Sequence, residues 1–118
     1  MLLLRPELNK RKLARAVDLD RVPGGRFVRY AGIVTVRQQP ETAKGVVFIS
    51  LEDETGNVQV IVWPTLKEKQ RAEVLRARLL AVYGQWQLQD GVKNLVAHKL
   101  ADLTPLLGGL ETTSRDFH

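Results

Sequence analysis

The chain has 118 residues, with 18 lysines and arginines, 13 aspartates and glutamates, and no cysteine. This length predicts one domain with a modest core, which argues against a large multi-lobed catalytic protein. The lack of cysteine excludes disulfides and thiolate metal sites, and two histidines are too few for a zinc cluster. Because the apolar runs are far shorter than the ~20 residues of a membrane helix, we expect a cytoplasmic protein without cofactor, metal or membrane partner.

The positive charge is concentrated near the N-terminus. Residues 1–29 carry eight basic and three acidic side chains, a net charge of +5, so the other 89 residues are neutral as a group. The isoelectric point near 9.9 indicates an anionic partner. The neutral remainder predicts that its own binding to such a partner is weak and sensitive to salt.

Residues 1–25 are predicted to form a basic helix and a connector. Pro6 suits the first turn of a helix, and apolar residues interleave with basic ones as far as Val17. We therefore expect one amphipathic helix that ends before Pro23-Gly24-Gly25. Its basic side is expected to dock on a neighbouring domain or to face solvent, in preference to binding phosphates.

A long strand with a central glycine is predicted next. Alternation predicts an inner row made of Val28, Tyr30, Gly32, Val34 and Val36. The outer row then includes Arg29 and Arg37, and Gly32 permits a sharp bend. Residues 38–45 are predicted to form a polar loop, with Lys44 near its end.

Segment 44–64 predicts a β-hairpin with two different faces. Its inner face is aliphatic and consists of Val47, Ile49, Leu51, Val58, Val60 and Val62. The outer face carries Phe48, Ser50, Gln59 and Trp63, and turn residues lie between the strands at 54–57. An exposed aromatic ring beside an amide can stack on a base and bond its edge, so nucleic acid is the leading hypothesis.

The rest of the sequence completes an all-β pattern. Pro64 begins a predicted helix to about Ala77, and two further strands are joined by an Asp90-Gly91 turn. Five strands with a helix between the third and fourth are the order of an OB-fold barrel, which we place at residues 26–104. Residues 105–118 are predicted to form a flexible tail.

A series of motifs resembles one known family over nearly the whole chain. The motifs are LLRPEL at 3–8, VRYAGIVTVRQ at 28–38, TAKGVVF at 42–48, LEDETG at 51–56, VIVWP at 60–64, ARLLAV at 77–82 and SRDFH at 114–118. Their order resembles the C-terminal OB domain of error-prone C-family bacterial DNA polymerases, relatives of the polymerase III alpha subunit. The resemblance implies a fragment whose parent has its polymerase active site upstream.

The wider superfamily includes the anticodon-binding domains of class II aminoacyl-tRNA synthetases. In those domains the residue matching Phe48 stacks on a base and the residue matching Gln59 contacts one. Lys67 and Gln70 stand where the polymerase family tends to have an aromatic, and Arg76 stands where it has a glycine. These departures concern the packing of the helix more than the binding face.

The predicted nucleic-acid-binding residues lie on the first three strands and the last hairpin: Phe48, Gln59, Arg37, Lys44, Arg29, Ser50, Trp63 and Lys93. Phe48 is expected to stack on a base, and the basic residues to contact the phosphate backbone. Packing at the junction with the helix is the favoured interpretation of Trp63, and Trp86 follows the core alternation. Solvation is the favoured interpretation of Arg29, Arg37 and Lys44, and phosphate contact is the functional alternative.

The run Glu52-Asp53-Glu54 is interpreted as the approach to a turn. Consecutive side chains on a strand alternate between its faces, so three adjacent carboxylates do not converge on a magnesium ion. No set of residues for nucleophilic catalysis and no phosphate-binding loop is recognisable in the sequence. We predict no catalytic residue.

The function predicted from these observations is binding of single-stranded DNA template, without strong sequence preference, beside the upstream catalytic domains of a damage-tolerance polymerase. Two alternatives remain open. One is a docking module for mutagenesis accessory proteins or the sliding clamp, and the other is a tRNA anticodon-binding domain.

Overall fold

The computed structural model describes residues 2–107, in which five strands close into a barrel. The strands are β1 (Phe27–Gln38), β2 (Val47–Asp53), β3 (Gly56–Val62), β4 (Leu79–Gln89) and β5 (Val92–Asp102). Their order around the barrel is β1-β2-β3-β5-β4, and β3 pairs with β5 in parallel whereas the other pairs are antiparallel. The predicted all-β OB-fold barrel is confirmed.

The barrel interior is filled by alternate residues of all five strands. The predicted aliphatic rows of β2 and β3 are buried, as are Tyr30, Val82, Leu95 and Leu100. Trp86 is also buried, as its core alternation predicts. The period-2 pattern of the sequence therefore determines which residues face inward.

The N-terminal segment is helical, as predicted, but it forms two short helices in place of one. Helix α1 is Arg5–Lys10 and helix α2 is Ala16–Leu19. Between them Lys12 has a φ of 60°, a left-handed conformation that ends α1. Ala14 then pairs with β1, through a bond from its N–H to the Arg29 carbonyl at 2.8 Å. Because of this pairing, the segment lies along the barrel.

A bulge in β1 reverses the predicted orientation of its last residues. The register shifts between Val34 and Val36, so Val36 pairs with Ser50 and Arg37 pairs with Ile49. Directly paired residues share a face, and Ile49 is in the core, so Arg37 points toward the inner side at this end of the barrel. The predictions of an inward Val36 and an outward Arg37 are therefore wrong, and Val36 is 44% exposed.

The connection between β3 and β4 contains two helices where one was predicted. Helix α3 is Pro64–Lys69 and helix α4 is Arg71–Arg76. Gln70 lies between them with a φ of −127° and a ψ of 46°. Its side-chain nitrogen donates to the Leu100 carbonyl at 2.7 Å, and its oxygen accepts from the Leu100 N–H at 2.8 Å. The Gln70 side chain therefore anchors the break between the two helices to β5.

Both predicted hairpin turns are present. Asp90 and Gly91 have φ values of 53° and 78°, as a two-residue turn between β4 and β5 requires. At the other hairpin, an Asp53 carboxylate oxygen accepts bonds from the N–H groups of Thr55 at 2.7 Å and Gly56 at 3.0 Å. These contacts confirm the turn interpretation of the acidic run.

A second apolar cluster lies outside the barrel, between α1 and the outer side of β1 and β4. It contains Leu4, Leu8, Leu13, Ala31, Leu79, Ala81 and Leu103, with Leu106 and Leu107 packed against it. Residues 104–107 form a helical turn, so the predicted tail boundary at 105 falls inside ordered contacts. The remainder of that predicted tail, 108–118, lies outside the described residues. Within residues 2–107, no helix is long and apolar enough to cross a membrane.

Candidate nucleic-acid interface

Cross-strand pairing brings three of the predicted site residues together. We call the outer surface of β1, β2 and β3 that carries Phe48, Ser50, Gln59 and Ile61 the hairpin face. Phe48 pairs with Ile61, and Ser50 pairs with Gln59 in the next outward row. All four side chains are half-buried. The face therefore offers an aromatic ring with an aliphatic neighbour beside a polar pair.

The polar pair is already hydrogen-bonded. The Ser50 hydroxyl donates to the Gln59 side-chain oxygen at 2.8 Å. This bond uses one of the two lone pairs of the Gln59 oxygen and orients the amide, whose nitrogen can donate to a base edge. An amide held by a neighbour loses less side-chain entropy when it binds a ligand.

A groove of about 480 Å³ follows the polar pair across the barrel surface. Its lining combines polar and charged groups with valine side chains: Thr35, Val36, Ser50, Glu52, Asn57, Val58, Gln59 and Lys93. Since the groove contains one carboxylate and one ammonium group, it has no net charge that would attract a phosphate chain strongly.

Two of the predicted cations near this face are bonded to other protein groups. Lys93 forms an ion pair with Asp20 at 2.9 Å. The Arg37 guanidinium donates to the Val74 carbonyl at 2.7 Å and to the Ala77 carbonyl, at the end of α4. Burial lowers the pKa of Arg37 from its ordinary value. Arg37 thus caps the helix that closes the barrel.

The remaining predicted residues of this region are exposed. Lys44 has a φ of 52° and ends a short 3-10 turn, with its side chain in solvent. Trp63 precedes α3 and is 54% exposed, so the favoured interpretation of junction packing is wrong. Its indole is accessible directly after the strand that carries Gln59 and Ile61.

Residues 28–103 match the family described as "OB-fold nucleic acid binding domain". The chain belongs to this family. The match begins in β1 and ends just after β5, so it spans the whole barrel of this OB-fold domain.

Relatives with high identity are error-prone DNA polymerases. The sequence is 56% identical to that of Ralstonia nicotianae, over 98% of this chain and 11% of that protein. It is 49% identical to that of Xanthomonas oryzae pv. oryzae, over 100% of this chain and 11% of that protein. The predicted resemblance to error-prone polymerases is confirmed, and the chain spans about a tenth of the length of these relatives.

Solved structures share the fold at low sequence identity. Asparaginyl-tRNA synthetase from Pyrococcus horikoshii matches with a TM-score of 0.66 and 20% identity, over 78% of this chain and 23% of that chain. The hypothetical protein ygiW from E. coli matches with a TM-score of 0.60 and 9% identity, over 77% and 89%. At these identities the likeness shows the OB-fold alone.

Arg29 lies apart from the other predicted residues of this OB-fold domain. It pairs with Tyr83 of β4, nine positions along β1 from Gln38, which pairs with Phe48. Its neighbours there include Phe27, which the sequence interpretation missed. The signal was present, because Phe27 shares the outward alternation of Arg29 on β1.

The acidic run of this OB-fold domain anchors the N-terminal segment. Arg5 donates to both Glu54 carboxylate oxygens at 2.7 Å, and this contact lowers the pKa of Glu54. Asp53 is buried, and its second oxygen accepts from the Ala16 N–H at 2.7 Å. Within the described residues, no group of three or more acidic or histidine side chains could hold a metal ion.

Proposed function

We propose that this OB-fold domain is a non-catalytic module of an error-prone DNA polymerase that binds single-stranded template DNA through the hairpin face. The carrying observation is the juxtaposition of Phe48 with the Ser50–Gln59 pair on the outer surface of a barrel from a nucleic-acid-binding family. In the proposed complex, Phe48 stacks on a base and Gln59 donates to a base edge. Binding tolerates many sequences because every base has a π-face.

The charges on this face support weak binding. Lys93 and Arg37 already have protein partners, which leaves Lys44 to contact the phosphate backbone. A tethered module needs little affinity, since linkage raises the effective concentration of its ligand to the order of millimolar. The proposed setting is damage-tolerance synthesis in the cytoplasm. There the template strand would bind this domain and pass to the upstream catalytic domains.

The test is an amide NMR titration of the 118-residue chain with a short oligo-dT strand at low and moderate salt. Duplex DNA of equal length and a folded RNA serve as control ligands. We expect shifts at residues 48, 50 and 59 and near residue 44 that weaken with salt and are absent with duplex. Phe48→Ala should weaken binding about fivefold or more, by the loss of one stacked base.

Leu75→Ala is the matched control, because Leu75 is an exposed apolar side chain on α4. It should bind the strand as the wild type does. Oligo-dT binding that Phe48→Ala leaves unchanged would remove Phe48 from the site. Shifts with the folded RNA alone would favour an anticodon-binding function.

A second candidate function is docking of mutagenesis accessory proteins or the sliding clamp. It is favoured by two exposed apolar side chains: Val36 at 44%, which lines the groove without net charge, and Trp63 at 54%, which directly follows β3. In that case oligo-dT leaves the amides of the hairpin face unshifted, and the addition of purified clamp shifts them.

A further inference from the structure

The outer surface of β1, β4 and β5 carries a second group of aromatic and basic side chains. We call it the β4–β5 face and define it by Phe27, Arg29, Tyr83, Gln85, His98 and Lys99. Register places Phe27 beside Gln85, Arg29 beside Tyr83, and Tyr83 beside Lys99. These residues therefore form two adjacent rows across three strands.

Aromatic rings on this face are accessible and mutually oriented. Phe27 is 61% exposed, and its ring lies 5.5 Å from the His98 ring in an edge-to-face arrangement at 74°. The Lys99 ammonium group lies 5.9 Å from the centre of the Tyr83 ring. Edge-to-face contact with His98 holds the Phe27 ring in place and leaves most of its surface exposed.

The irregular register of β4 and β5 creates this arrangement. The register shifts between Tyr83 and Gly84, so Tyr83 pairs with Lys99 and Gly84 pairs with Ala97, which leaves His98 as the extra residue of a bulge. A Cβ at Gly84 would lie 2.0 Å from the Val96 carbonyl oxygen. Only glycine permits β5 to approach this closely and turn His98 outward beside Phe27.

The β4–β5 face is positively charged, and its two cations form no ion pair within the described part of the chain. The six defining residues include two cations and no carboxylate. Within residues 2–107, Arg29 and Lys99 form no ion pair, whereas Arg5, Arg11, Arg15, Arg71 and Lys93 each have a carboxylate partner. A cation without a carboxylate partner can bind a phosphate without first breaking an ion pair, and the Lys99 ammonium group lies over the Tyr83 ring.

We propose that the β4–β5 face is a second single-strand-binding surface, on which Phe27 stacks on a base and Arg29 and Lys99 contact flanking phosphates. The exposed ring favours a single strand over a duplex, because stacking on Phe27 requires an unpaired base. The ligand class is that of the proposed function, and this face contains none of the residues assigned to the hairpin face. Strand binding by the β4–β5 face can therefore be tested independently of strand binding by the hairpin face.

The experiment uses the 118-residue chain and an oligo-dT of ~12 nucleotides, within the range of OB-fold site sizes. Amide shifts at residues 27, 83, 98 and 99 report this face, and those at residues 48 and 59 report the hairpin face. Phe27→Ala should raise the dissociation constant measured at residues 83 and 98 about fivefold, and Phe27→Trp should restore it.

Removal of the two cations gives an independent readout. Arg29→Gln with Lys99→Gln should flatten the slope of log K against log salt by about 1.4, or ~0.7 for each phosphate contact on a single strand. Lys69→Gln with Arg76→Gln is the matched control, since it removes two cations from α3 and α4. That control should leave the slope measured at this face unchanged.

Two results would overturn the proposal. One is the absence of shifts at residues 83 and 98 with oligo-dT at up to about 1 mM, the order of the effective concentration in a tethered module, whether or not the hairpin face shifts. The other is shifts that duplex DNA reproduces and that Phe27→Ala leaves unchanged, which would show attraction of phosphates without stacking. Loss of shifts at the hairpin face alone contradicts the proposed function and leaves this inference intact.

Discussion

The hairpin face and the β4–β5 face carry similar residue types but differ in how their charges are used. Near the hairpin face Arg37 and Lys93 bond to a helix end and to Asp20, and of the predicted cations there Lys44 is left to contact a phosphate. On the β4–β5 face Arg29 and Lys99 have no carboxylate partner within residues 2–107. The two faces therefore differ less in how many cations they carry than in whether those cations already bond to other protein groups.

Each face owes its character to one irregularity in strand pairing. The bulge between Val34 and Val36 turns Arg37 toward α4 and Val36 outward. The shift between Tyr83 and Gly84 turns His98 outward beside Phe27. Bulges commonly change the direction of side chains at functional sites. Here one bulge directs Arg37 to the end of α4, and the other turns the His98 ring outward.

The largest expected effect comes from Gly84→Ala, which removes the irregularity under the β4–β5 face. Because the new Cβ would lie 2.0 Å from the Val96 carbonyl oxygen, β5 must move away from β4. We expect a loss of about 3 kcal/mol in the free energy of unfolding, measured by urea denaturation.

Gly32→Ala is the comparison variant for this experiment. Its Cβ would lie 2.9 Å from the Tyr30 hydroxyl oxygen and 3.0 Å from the Leu51 Cβ, contacts that are less severe. We expect Gly32→Ala to cost less than Gly84→Ala. Equal stability of Gly84→Ala and the wild type would show that the β4–β5 bulge adapts without the glycine.

The sequence predicts the barrel well because alternation and turn chemistry are local signals. The inner rows of β2 and β3 and the Asp90-Gly91 turn follow from period-2 burial and from residues that tolerate positive φ. The bulges are not visible in this way, because Val34-Thr35-Val36 continues the alternation through the shift in register. That hidden shift is why Val36 and Arg37 were assigned to the wrong sides.

The break between α3 and α4 and the partner of Lys93 could not be predicted, because both depend on contacts between residues far apart in sequence. The break at Gln70 depends on two bonds to Leu100, thirty positions away, and a helical pattern cannot show a partner in another strand. In the same way, the ion pair between Lys93 and Asp20 joins residues 73 positions apart. The sequence predicts which residues lie on the hairpin face, but it does not show whether a nearby cation is free to bind a phosphate.

Arg37→Gln tests whether this cation stabilises the fold or binds the strand. The substitution removes charge-assisted bonds to the Val74 and Ala77 carbonyls at the end of α4. We expect a loss of about 2 kcal/mol in the free energy of unfolding, with the dissociation constant for oligo-dT unchanged. Lys44→Gln is the matched control and should show the reverse, with stability unchanged and strand binding weakened. An unaltered free energy of unfolding in Arg37→Gln would contradict the capping role.

Asp20→Asn gives the smallest expected effect, because it breaks an exposed ion pair that contributes ~0 to 1 kcal/mol to stability. The substitution frees the Lys93 ammonium group on the rim of the hairpin-face groove, where it can contact a phosphate. We expect oligo-dT to bind this face about twofold more tightly at low salt, with the slope of log K against log salt steeper by up to ~0.7. Glu73→Gln on α4 removes the same charge at a residue that does not line this groove, and it is the control for net charge. An equal increase in oligo-dT affinity in both variants would mean that net charge alone governs affinity. That result would contradict the claim that the ion pairing of their cations distinguishes the two faces.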